Sequence, residues 1–114
     1  MRIVDLLKKD SIQLDAAPKN KAEAIEMLVD LQVKGGNIAD REEYKKGILA
    51  REKMSSTAVG EGIAIPHAKS TAVKAPSLAA MTVPNGVDYE AMDDEPSNLL
   101  FMIAAPNNGD VHLE

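Results

Sequence analysis

The chain has 114 residues, 45% of them apolar and 27% charged, a balance that suits one folded globular domain and excludes a disordered or membrane-embedded class. Cysteine is absent, which excludes disulfides, thiolate nucleophiles and cysteine zinc sites. A net charge of −5, with two tyrosines and one phenylalanine, argues against a nucleic-acid surface, because that needs clustered cations and stacking rings.

Ile3, Leu6 and Leu7 follow helical spacing and predict a short opening helix over 3–9. SIQLDA, 11–16, sets Ile12 and Leu14 between polar neighbours and predicts a short edge strand. Asn20 followed by Glu23 is a capping pair. It opens a helix carrying Ile25, Leu28 and Leu31 on one face, stopped by Gly35 and Gly36. Asp40 with Glu43 repeats the start signal, and Tyr44, Gly47, Ile48 and Arg51 then fall at i, i+3, i+4 and i+7. Arg51 thus shares the direction of an apolar stripe, where a guanidinium must snorkel, pair with a carboxylate or meet an anionic ligand.

Beyond Met54 the texture changes to short apolar runs, STAV, GIAI, SLAAMTV and LLFMIAA, separated by Gly, Pro and acidic turns that predict strands. The last two are apolar at successive positions, as in a sheet covered on both faces. Helices first and strands later predict an α/β three-layer sandwich, a mixed sheet flanked by helices on both faces. In the closing NNGDVHLE, Asn107 to Gly109 form a turn and Asp110 could cap a further helix. Unless Leu113 and Glu114 are a cloning remnant, that ending implies a single domain, 1–114, whose C-terminal part is missing. Its three helices are too few for both faces, so apolar surface should be exposed or buried against a second copy as a homo-oligomer. The longest apolar run, LLFMIAA, is too short to span a bilayer, and no signal peptide is visible at the start, so the expected address is cytoplasmic.

The two histidines are His67 and His112. His67 follows Ile63, Ala64, Ile65 and Pro66, which place it just past a strand terminus, where ligand sites form in α/β sheets. Gly60 and Gly62 permit a tight turn or a close backbone approach. A lone histidine is more often a surface residue with no task. For Arg51 the competing role is an ion pair with Glu52 or Glu61, and for His112 a solvated terminus. No HExxH, GxSxG, P-loop or GxGxxG occurs, so zinc, serine-hydrolase and nucleotide chemistry have no support. What remains is an imidazole nucleophile that attacks a phosphoryl group with one nitrogen while the other keeps its proton, aided by cationic donors.

GEGIAIPHAKS, 60–70, closely resembles the active-site segment of phosphotransferase-system enzyme IIA domains of the fructose/mannitol type, most like the fructose-specific branch. REEYKKGILAREKMSSTAVGEGIAIPHAKS and GVDYEAMDDEPSNLLFMIAAPNNGDVHLE extend the likeness over essentially the whole chain. The resemblance implies that His67 takes a phosphoryl group on Nε2 from the phosphocarrier HPr and passes it to a IIB domain. Sugar entry through a membrane IIC permease then follows, with no metal and no cofactor. It also implies that Arg51 and His112 line the phosphoryl site, with Glu61 nearby. Family domains continue beyond the second histidine, so the early ending puts the geometry of His112 in question. A regulatory relative acting on protein partners, and a non-catalytic interaction domain, are the rival expectations.

Overall fold

Both helices begin where the sequence sets a cap. In the computed structural model, which describes residues 6–107, the Asn20 side chain accepts the Glu23 N–H at 2.8 Å and opens α1, Lys21–Lys34. The Asp40 carboxylate accepts the Glu43 N–H at 3.2 Å and opens α2, Arg41–Met54. Gly35 closes α1, and Gly36 follows at φ 93°, a left-handed conformation that glycine reaches without a Cβ clash.

Six strands, β1 (Leu7–Gln13), β2 (Ala58–Gly60), β3 (Ile63–Ala64), β4 (His67–Ser70), β5 (Ser77–Val87) and β6 (Ser97–Pro106), form one mixed sheet. The order is β1-β5-β6-β3-β2, with β4 also paired to β6. The β1–β5, β3–β6 and β4–β6 pairs are parallel, and the others antiparallel. All four apolar runs expected to be strands are strands.

The opening helix expected over 3–9 is corrected at 7–9, which are strand, while residues 3–5 lie outside the described residues. Only Leu6 of its described residues is helical, and Leu7 already pairs with Leu78 in β1. Three apolar positions are a weak periodicity, and from Leu7 onward ladder pairing at an open sheet edge outweighs it. Lys8, Lys9 and Asp10 stay exposed there, as charges on an edge strand should. The edge strand read at 11–16 therefore starts earlier and ends at Gln13.

Ile25, Leu28 and Val29 of α1, Tyr44 and Ile48 of α2, and Ala79, Met81, Val83, Leu100, Met102 and Ala104 of the sheet belong to one core cluster. Both helices therefore cover the same face. Buried among them, Gln32 satisfies both ends of its amide: Nε2 donates to the Met102 carbonyl at 2.8 Å and Oε1 accepts from Ser77 Oγ at 2.9 Å. On the other face Leu78 and Ala80 are buried, but Leu99, Phe101 and Ile103 are only half-buried. A helical layer over this second face, expected of the sandwich, is not among the described residues.

Between the helices, Arg41 and Lys45 of α2 both grip the Glu26 carboxylate of α1, Arg41 Nη2 at 2.6 Å. Lys45 first and Arg41 second hold that carboxyl below its ordinary value of 4.5. A depressed carboxyl adds stability that is present above its unfolded pKa and lost as pH falls through the folded one. With the Glu26 side chain 39% exposed, solvent screening keeps the pair's worth below about 1 kcal/mol. Thermal melts of Glu26→Gln should therefore lie slightly below the wild type at neutral pH and converge with it below about pH 4.5.

Candidate active site

The segment that carries His67 begins with a hairpin. Gly60, Glu61 and Gly62 all have positive φ, 93°, 56° and 79°, and turn β2 back on β3. A Cβ added at Gly62 would lie 3.0 Å from Asn98 Oδ1, while the same side chain's Nδ2 donates to the Val83 carbonyl at 3.1 Å. Strain and crowding together predict that Gly62→Ala costs about 1–2 kcal/mol, read as a lower midpoint in urea with unchanged slope.

Pro66 then decides where His67 sits. β3 pairs Ile63 with Leu99 and Ala64 with Leu100, and β4 pairs His67 with Ile103 in the same register. The two are one strand interrupted at Ile65 and Pro66. Proline brings no N–H to the ladder, although its carbonyl still accepts from the Ile103 N–H at 2.9 Å. The expectation that His67 lies past a strand terminus is thus corrected: a proline breaks the strand without ending it, and His67 is the first residue of its resumption.

The break frees a carbonyl. Ile65 donates its N–H to the Thr57 carbonyl at 3.0 Å, and its own C=O meets Nδ1 of His67 at 2.8 Å. A carbonyl can only accept, so Nδ1 bears the proton and, in the neutral ring, Nε2 holds the lone pair.

Ala68 faces α2, its Cβ 3.5 Å from where a Gly47 Cβ would stand. By strand alternation His67 and Lys69 point the opposite way, and both are exposed. They line an open cleft of about 550 Å³ together with Arg51, Thr57, Ile103 and Ala105. The close seat of α2 on β4 at Gly47 brings Arg51, one turn further on, to that cleft.

Arg51 and His67, the two site residues expected from sequence that the structure describes, are therefore brought together. Arg51 donates from Nη1 to the Ser55 carbonyl at 2.9 Å, and among the described residues no carboxylate pairs with it. The competing ion pairs are not formed. Glu52 turns to Lys21 at 3.1 Å instead. Glu61 sits exposed on the hairpin, its N–H bonded to Asp93 Oδ2 at 3.0 Å, and does not line the cleft. His112 and Asp110 lie outside the described residues.

Lys69 is a cleft residue that sequence reasoning missed. Its signal was present, since i+2 from His67 on a strand means the same face. Ser56 and Thr57, also in the lining, read only as part of the STAV strand. The cleft thus sets an unprotonated ring nitrogen among N–H donors of a guanidinium and an ammonium, groups that suit the oxygens of an anion.

The model of the family described as phosphoenolpyruvate-dependent sugar phosphotransferase system, EIIA 2, matches residues 5–114. The chain belongs to this family. EIIA components are phosphotransferases that work through a phosphohistidine. Over 115 residues the EIIA 2 domain is 46% identical to the fructose-specific EIIABC component of Bacillus subtilis, covering 100% of this chain and 18% of that one. It is 45% identical over 104 residues to the fructose-specific EIIA component of Haloferax volcanii, covering 90% of this chain and 68% of that one. The Escherichia coli complex of enzyme IIA mannitol with phosphorylated enzyme IIB mannitol superposes with a TM-score of 0.79 at 32% identity, covering 91% of this chain and 74% of that one. The mixed sheet with its helices is thus the EIIA α/β fold. No helix among the described residues of this EIIA 2 domain is long and apolar enough to cross a membrane.

Proposed function

We propose that the chain, as an EIIA domain spanning 1–114, accepts a phosphoryl group on His67 Nε2 from the phosphohistidine of HPr. It hands the group to a IIB domain at the cytoplasmic face, for uptake of fructose through a membrane IIC partner. The observation that carries this reading is the His67 ring, exposed beside Arg51 with its Nδ1 proton held by a main-chain carbonyl.

The lone pair of Nε2 attacks phosphorus in line. As the new N–P bond forms, the bond from phosphorus to the donor's imidazole nitrogen breaks, and the donor ring leaves with that electron pair. The proton stays on Nδ1, donated to the Ile65 carbonyl, whose oxygen stabilises the positive charge the ring acquires. Arg51 meets the phosphoryl oxygens, with His112 assigned beside it by the family resemblance. Transfer to IIB reverses the sequence. Fructose rests on the two fructose-specific relatives, and the IIB partner on the mannitol complex.

Incubation with phosphoenolpyruvate, enzyme I and HPr should give one acid-labile phosphate per chain, with nitrogen-15 spectra placing it on Nε2. Adding a fructose-type IIB domain should remove it faster than adding a mannitol-type one. An intact chain that takes no label, or carries it on Nδ1, would refute the reading.

A further inference from the structure

Glu52 follows Arg51 on α2 yet does not line the cleft, and its side chain is only 6% exposed. Its carboxylate accepts the Thr57 N–H at 3.2 Å and the Thr57 hydroxyl at 2.5 Å. Tyr89 adds its hydroxyl at 3.4 Å, and Lys21 closes the cluster at 3.1 Å, its ammonium also 4.8 Å from the centre of the Tyr89 ring. A buried carboxylate that holds this many donors fixes the parts that carry them.

The part held here is the short link from the end of α2 to β2, and both cleft residues hang from it. The Ser55 carbonyl takes the Arg51 guanidinium at 2.9 Å. The Thr57 carbonyl takes the Ile65 N–H at 3.0 Å, and the Ile65 carbonyl takes the His67 ring at 2.8 Å. Ser56 Oγ donates to the Tyr89 carbonyl at 2.6 Å and ties the link to the same cluster.

We propose that Glu52 is a positioning residue: by clamping Thr57 it sets both the tautomer of His67 and the place of Arg51. This rests on the phosphoryl site proposed above, but half of its test does not. Nitrogen-15 spectra of the unphosphorylated protein report the His67 tautomer directly. The wild type should show a protonated Nδ1, whereas a folded Glu52→Ala should show a mixture of tautomers, a change that loss of stability alone does not produce.

Phosphoryl uptake from HPr should fall by about tenfold or more in Glu52→Ala, since misplacement on the order of 1 Å has effects of that size. Glu52→Gln, which keeps one acceptor for Thr57, should recover part of both readouts. In an Arg51→Ala background the further loss from Glu52→Ala should shrink, because one of the two groups it places is gone. If Glu52→Ala does not fold, Thr57→Val, which removes the hydroxyl and keeps the volume, replaces it with the same expected shifts. A folded variant with an unchanged tautomer, or losses that multiply independently of Arg51, would overturn the positioning role. Failure of the wild type to take phosphate would sink the phosphoryl reading and leave the tautomer result standing.

Discussion

His67→Ala should take up no phosphoryl group from HPr under conditions in which the wild type is fully labelled. The nucleophile is a single atom, Nε2, and among the described residues the cleft holds no second imidazole. The side chain is exposed and packs little, so the variant should melt close to the wild type. Loss of label with an unchanged melt separates chemistry from folding. Label retained on His67→Ala would move the acceptor elsewhere in the chain.

Arg51→Ala should slow the same uptake by about a hundredfold, the usual consequence of deleting one preorganised donor to a transferring group. Among the described residues its one side-chain hydrogen bond is to a carbonyl at the end of its own helix, and the side chain lines the cleft. Arg51→Lys should recover only part of the rate: it restores the charge but not the planar fork that meets two oxygens at once. Rapid-quench measurement of the rate at saturating phospho-HPr distinguishes this from weakened docking. An effect confined to the concentration dependence would assign Arg51 to partner binding instead.

Much of this architecture is legible in the sequence because its signals are local. Asn20 with Glu23, and Asp40 with Glu43, are caps whose geometry depends on four residues, and both form as the spacing demands. The juxtaposition of Arg51 with His67 follows from the helical phase of one and the apolar run before the other. Non-local pairing is less legible. Leu7 reads as helical until β5 lies beside it, and nothing in IAIPH shows that β6 continues in register past the proline. Glu52 was readable only as a partner for Arg51. Thr57, five residues on, matches no helical or strand spacing, and Lys21 and Tyr89 are 31 and 37 residues away, distances at which sequence carries no pattern.

The interrupted strand has a consequence for how this site can evolve. In catalytic triads the histidine is oriented by a carboxylate, which one mutation can delete and one proton can silence. Here the orienting atom belongs to the peptide backbone. Every residue type at position 65 supplies it, and it gains no proton in any range where the fold survives.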